Sequence, residues 1–165
     1  MPTADILIGL PGSGKSTYTR RRMLDGYTVI NKDQLIYMCH GGSYDFREDM
    51  AILYDKMFLS LIRTACLHGD NIIVDDVNLS MYDRALVLQQ IPRYYKVKFT
   101  YWKPNFELNV ANRSMEPRGY TSEMWRVIIE KMLAKLDDPS DSWTSESCDE
   151  FESLKVYPKG TIEHP

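Results

Sequence analysis

Apolar and polar residues follow two rhythms along the chain, and the switches between them mark out its elements. Ala4–Leu10 is a short apolar block with Ile6, Leu7 and Ile8 in succession, the pattern of a buried strand. A glycine-rich turn covers residues 9–16, and Lys15 to about Leu24 predicts a helix stopped by Gly26. Tyr27–Asn31 predicts a second short strand, and Asp33–His40 a short helix broken by Gly41 and Gly42. The most legible helix is Arg47–Cys66. There Met50, Leu53, Tyr54, Met57, Phe58, Leu61, Ile62 and Ala65 recur at a 3.6-residue rhythm, and Gly69 closes the run. Asn71–Val74 is a third buried strand, ending in Asp75 and Asp76. Ser80 with Asp83 three residues on is a capping-box pattern for a helix that ends near Pro92. Val97–Trp102 is a further strand, followed by a helix over Asn105–Arg113 and a polar turn, Ser114–Tyr120. Thr121 or Ser122 caps a last helix to about Leu136, with Trp125, Ile128, Ile129, Met132, Leu133 and Leu136 on its apolar face.

Strands alternating with helices predict βαβ units, and therefore an α/β fold with a parallel sheet flanked by helices. The pattern changes after Leu136. Residues 137–150 are rich in Asp, Ser and Glu, with little that would pack, although Phe151, Leu154, Val156 and Tyr157 can dock as one added strand. The expected division is a domain over 1–136 and an acidic C-terminal extension over 137–165.

Composition narrows the class. The chain has 165 residues, 44% apolar and 26% charged, which suits one globular domain and excludes bulk disorder. No apolar stretch is long enough to span a bilayer and the N-terminus has no signal-like pattern, so a cytoplasmic location and no membrane partner are expected. The three cysteines, Cys39, Cys66 and Cys148, lie far apart without metal-site spacing, and a disulfide framework is not expected. His40, His68 and His164 carry no site signal. A net charge of −3 argues against a protein that coats nucleic acid non-specifically but leaves room for a local basic cleft. Arg20, Arg21 and Arg22 read as a solvated helix face.

One segment carries strong chemistry. Gly9-Leu10-Pro11-Gly12-Ser13-Gly14-Lys15-Ser16 matches G-x-x-x-x-G-K-[ST] in full, after a strand and opening a helix. Its glycines let backbone N–H groups wrap phosphates, and the helix N-terminus adds partial positive charge. Lys15 reaches the terminal phosphates of a nucleotide and the Ser16 hydroxyl suits Mg²⁺. Other residues leave alternatives open. Asp33, after the second strand, is a proton acceptor for an attacking hydroxyl or the cap of a helix beginning at Gln34. Asp75 and Asp76 are candidates to hold Mg²⁺ through water, and Asn78 binds substrate or makes a turn. Arg113 and Arg118 flank a Pro-containing turn and would close over phosphates or remain surface arginines. Tyr44, Phe46, Tyr54, Tyr120 and Trp125 offer faces for a base, with Tyr54 and Trp125 also on apolar helix faces.

Four pieces together resemble the kinase domain of bacteriophage polynucleotide 5′-hydroxyl kinases, within the wider group of small P-loop kinases, over about residues 4–136. They are Gly9 to Thr17, Ile30-Asn-Lys-Asp33, Asp76-Val-Asn-Leu79, and the arginine pair Arg113 and Arg118-Gly119. The resemblance implies a three-layer P-loop NTPase sandwich with an arginine-bearing lid at about 113–121. It implies ATP and Mg²⁺ held by residues 9–17 and the lid arginines, with Ser16 and Asp76 toward the metal. It implies Asp33 as general base, Lys15 and Arg118 as neutralisers of the transferring phosphoryl group, and Asp33, Asp76 and Asn78 on the acceptor side. The implied acceptor is a nucleic-acid hydroxyl, foremost a polynucleotide 5′-hydroxyl. A hydroxymethylated pyrimidine, or a small molecule such as a nucleoside, is the alternative, and a P-loop ATPase or switch without an acceptor is a different class again. Two departures fall on the acceptor side. Ile36 stands where the family places an arginine three residues after the base, and the lid arginines are one residue further apart. No D-x-D-x-[TV] motif of a phosphatase partner domain occurs in the chain.

Overall fold

The computed structural model describes residues 1–116 and 118–161. Pro117, within the expected lid, and His164 lie outside the described residues. Five strands form one all-parallel sheet in the order β2-β3-β1-β4-β5. They are β1 (Thr3–Ile8), β2 (Thr28–Asn31), β3 (Ile72–Asp75), β4 (Lys96–Trp102) and β5 (Glu150–Leu154). The helices are α1 (Lys15–Leu24), α2 (Lys32–Cys39), α3 (Ala51–His68), α4 (Met81–Leu88), α5 (Phe106–Ser114) and α6 (Ser122–Leu133), with a 3₁₀ turn at Glu48–Met50. No helix among the described residues is long and apolar enough to cross a membrane.

The central strand shows why the sheet takes this form. β1 is covered on both faces, which is why its apolar residues run together rather than alternate. Ala4, Ile6 and Ile8 pack with Tyr54, Phe58, Ile62 and Cys66 of α3. Leu7 points the other way, with Ile73, Trp102 and the α1 residue Tyr18. Helices on both faces of a parallel sheet make three layers. A third apolar group, Leu10, Leu79, Val110 and Ile129, joins the start of the glycine-rich loop to α5 and α6. The loops leaving the carboxyl ends of β1, β2 and β3 therefore share one edge of the sheet, where ligands bind in open α/β folds.

Helix boundaries follow local chemistry. Ser80 accepts a hydrogen bond from the Asp83 N–H (3.0 Å) at the start of α4, and Thr121 one from the Met124 N–H (3.2 Å) at the start of α6. Gly69, at φ 94°, stops α3, where the Gly69 and Asp70 N–H groups both donate to Ala65 O.

The segment after Leu136 departs from its polar reading. Arg84 of α4 is fully buried, and its guanidinium donates to both Glu146 carboxylate oxygens (2.7 and 2.9 Å) and to the carbonyls of Asn78, Leu79 and Asp137. Trp143 stacks on Phe151 with ring centroids 5.9 Å apart, and Cys148 is buried. Three scattered residues, each set among polar neighbours, thus do the packing that the composition of 137–150 does not suggest. β5 then lies parallel to β4, with Lys98 Nζ 2.5 Å from Glu152 across the pair.

Candidate active site

The glycine-rich loop connects β1 to α1 and is shaped by its glycines. Gly12 (φ 78°) and Gly14 (φ 107°) both occupy the left-handed region. At Gly12 a Cβ would meet Asn109 O at 2.3 Å, so only glycine fits between the loop and α5. Helices α2, α4, α5 and α6 each begin with a side chain accepting from the first turn. In contrast, α1 begins at Gly14 with no side-chain cap and no acidic residue in its first turn; α3 lacks both too, but it continues directly from the 3₁₀ turn Glu48–Met50. The opening N–H groups of α1 and the positive end of its dipole are thus left for an anion. Ser16 and Thr17 are exposed at that turn. Lys15 folds back over the loop, its ammonium donating to Gly9 O (2.7 Å) and Leu10 O (2.9 Å). Burial pulls its pKa below the ordinary lysine value, against the opposing fields of Asp75, Asp76 and Asp33.

Residues about a hundred positions away hold the loop in place. The Ser13 hydroxyl donates to Leu10 O at 2.5 Å. The fully buried Asn109 amide of α5 donates to Pro11 O (3.0 Å) and Ser13 Oγ (3.2 Å). One turn on, Asn112 donates to Gly12 O (3.0 Å) and Tyr157 O (2.8 Å), and accepts from the Lys159 N–H (2.8 Å). Sequence reasoning missed both asparagines. Their i, i+3 spacing, which puts two amides on one helix face, is the only local signal they carry.

The two acids after β3 have different surroundings. Asp75 is buried and accepts from Asn31 Nδ2 (2.7 Å) and Thr19 Oγ1 (3.4 Å). Asp76 is partly exposed and lies 3.7 Å from Lys32 Nζ, which also pairs with Asp55 at 2.6 Å. Lys32 is a third residue the sequence reading passed over. Burial raises the pKa of both aspartates, with Lys15 opposing most at Asp75 and Lys32 at Asp76. The chemistry of the donor set, the carboxylates of Asp75 and Asp76 at the end of β3 and the exposed Ser16 hydroxyl in the first turn of α1, is all hard oxygen, which fits Mg²⁺. Asn78 is not on the crevice. It is buried at φ 45°, and its amide donates to Leu7 O (2.8 Å) and Asp76 O (3.3 Å), so it makes the turn and ties β3 to β1.

The α2 side removes one of the two roles open at Asp33. Asn31, not Asp33, caps α2, accepting from the Gln34 N–H at 2.8 Å. The helix begins two residues before Gln34, which removes the capping position from Asp33. Its carboxylate instead accepts from Arg118 Nη2 at 3.0 Å. Arg118 lies at φ 47° before Gly119 at φ 81°, and its guanidinium sits 4.4 Å from the Tyr44 ring centre. Arg113 is held at the back of the same cluster, donating to Glu116 O (2.7 Å) with its guanidinium 4.3 Å from the Trp125 ring centre. Burial and the neighbouring Arg118 lower its pKa. The structure therefore brings Lys15, Asp33, Asp75, Asp76, Arg113 and Arg118 to one crevice. Tyr54 and Trp125 are buried, and Ile36 is turned into the core at 3% exposure.

The parallel sheet, its flanking helices and the glycine-rich loop between β1 and α1 together define the P-loop kinase fold. Residues 6–139 match the model of the AAA domain family, and the chain belongs to that family. Among solved structures, a chain of the Pnkp1/Rnl/Hen1 RNA repair complex superposes with TM-score 0.70 at 24% identity, covering 98% of this chain and 50% of that one. A gluconokinase from Sinorhizobium meliloti 1021 gives 0.61 at 16% identity, over 94% of this chain and 83% of that one. A shikimate kinase from Acinetobacter baumannii in complex with shikimate gives 0.62 at 13%, over 93% and 84%. This chain thus spans about half of the RNA-repair chain and most of the two small-molecule kinases. No curated protein sequence matches.

Proposed function

We propose that the protein transfers the γ-phosphate of ATP to a nucleic-acid hydroxyl, foremost a polynucleotide 5′-hydroxyl. The observation that carries this reading is the Asp33–Arg118 pair, a half-exposed carboxylate free of helix capping and within the electrostatic reach of Lys15. Residues 9–17 hold the β- and γ-phosphates, and Lys15 leaves the Gly9 and Leu10 carbonyls for them. Ser16 and Asp76 would hold Mg²⁺, which would spread the charge of the phosphates when bound. Arg118 moves from Asp33 to the transferring group, and Arg113 supports it. Asp33, released, accepts the proton of the acceptor hydroxyl. The new O–P bond forms as the bond between the γ-phosphorus and the β–γ bridging oxygen breaks, and ADP leaves. The transition state is loose, so positioning and charge outweigh base strength.

The likeness to a chain of an RNA repair complex supports a nucleic-acid acceptor. Burial of Ile36 favours a second reading. A side chain turned into the core offers nothing to a backbone phosphate next to the acceptor, which suits a hydroxymethylated pyrimidine or a nucleoside. The test uses γ-labelled ATP and Mg²⁺ with three acceptors: a 5′-hydroxyl oligonucleotide, a 5′-phosphorylated one carrying hydroxymethylpyrimidine, and a pool of nucleosides and sugars. Label on the first is expected. Label on the second or third alone replaces the reading with the corresponding alternative. ATP hydrolysis with no label on any acceptor replaces it with a switch.

A further inference from the structure

The acceptor side lacks a cation at position 36 yet carries an aromatic pair beside the proposed base. Tyr37 lies four residues after Asp33 on α2, so phenol and carboxylate share one helix face. The chain then turns back at Gly41 and Gly42 and lays Tyr44 against Tyr37, with ring centroids 5.4 Å apart. One flat group currently spans the carboxylate and the Tyr44 ring. The Arg118 guanidinium is 3.0 Å from Asp33 Oδ2 and 4.4 Å from the Tyr44 centre. A nucleoside presents the same two features, a hydroxyl for the carboxylate and a planar π surface for the ring.

We propose that Tyr44, backed by Tyr37, is the stacking platform for the acceptor's terminal base, bared when Arg118 leaves for the transferring phosphate. This rests on the nucleic-acid reading above and names what that site recognises: the base rather than the adjacent backbone phosphate. Of the other aromatic residues, Phe46 packs on Tyr54, with centroids 5.5 Å apart, and Tyr120 edge-on to Trp125 at 5.1 Å, whereas Tyr44 is the ring that lies 4.4 Å from the guanidinium paired with Asp33. A sequence-tolerant π contact would recognise an end without reading its sequence.

The experiment measures kcat and KM for a 5′-hydroxyl oligonucleotide and for the same oligonucleotide with an abasic terminal nucleotide. Tyr44→Ala is expected to weaken the acceptor by about 5- to 150-fold in KM, with ATP affinity unchanged. Tyr44→Phe keeps the ring and restores KM. Wild-type protein loses the same factor on the abasic end, and Tyr44→Ala shows no further loss there. Equal KM for wild type and Tyr44→Ala on the normal end overturns the platform and leaves the kinase reading standing. So does equal use of the normal and abasic ends by wild type, an arm that needs no variant to fold. Label only on acceptors without a base overturns both.

Discussion

The two halves of the crevice are built in different ways. On the donor side, the loop between β1 and α1 is fixed by main-chain carbonyls. The buried Asn109 amide and the partly exposed Asn112 amide of α5 grip Pro11 and Gly12, and the Ser13 hydroxyl closes back on Leu10. On the acceptor side, Asp33, Arg118, Tyr37 and Tyr44 are held by side chains meeting side chains. The Asp33–Arg118 pair is 46% and 26% exposed, and such pairs contribute only about 0–1 kcal/mol. A site fixed by buried hydrogen bonds is ready before the ligand arrives, whereas one held by an exposed ion pair is rearranged by it. On the proposed reading the phosphate cradle is therefore preformed, and the acceptor site would be assembled when ATP draws Arg118 away.

The strongest way to break this contrast is at Lys15. Its ammonium donates to two loop carbonyls, and the cost of its burial opposes the attraction of Asp75, Asp76 and Asp33, so Lys15→Ala should fold with a near-normal melting temperature. Loss of a charge aimed at the transferring group should lower turnover by about 10²–10⁴. Near-normal turnover would remove the mechanism. Asp33→Asn should act on the other half alone. ATP affinity and melting temperature hold while turnover falls by about 10², at the low end for general-base loss because the transition state is loose. A parallel loss of ATP affinity would show that Asp33 belongs to the donor half.

Asn109→Ala sharpens the comparison from the donor side with a smaller effect. It strips the Pro11 carbonyl and Ser13 hydroxyl of a buried donor, which should cost about 1–3 kcal/mol of stability. Melting temperature and ATP affinity should fall together, and the KM for the acceptor should not move. A change in acceptor KM without one in ATP affinity would contradict the division.

What the sequence discloses follows the range of the interactions. The loop motif, the caps at Ser80 and Thr121 and the rhythm of α3 depend on residues within a turn or two, and each is legible. The grip of Asn109 on Ser13 joins residues 96 apart, and the ion pair of Arg84 with Glu146 joins residues 62 apart. Nothing local marks these residues as partners, so Glu146 reads as one more acid in a polar stretch. Asp33 shows the reverse case. The local rule offers it a cap, and a neighbour two residues earlier takes that place. The aromatic group is intermediate, since its members are visible but which ring faces remain available depends on packing.

The smallest effect concerns the support beneath the donor half. Asp5 lies in the middle of β1, fully buried, accepting from Tyr18 of α1 (2.5 Å) and from Thr100 of β4 (2.7 Å). Burial raises its pKa, and the hydroxyl donors and Lys98 only partly offset this. An acid whose folded pKa lies above its unfolded value of about 3.9 binds more protons when folded. Its contribution to stability is complete below the unfolded pKa and is lost as pH rises through the folded one. Asp5→Asn keeps one oxygen for Tyr18 and can donate to the Thr100 hydroxyl, but it does not titrate. The melting temperature of Asp5→Asn minus that of wild type should therefore increase from pH 4 to pH 7, read by thermal unfolding at several pH values. A difference that stays flat or shrinks over that range would mean that the carboxylate is held as an anion by its two hydroxyl donors. The support under α1 would then be charged rather than neutral.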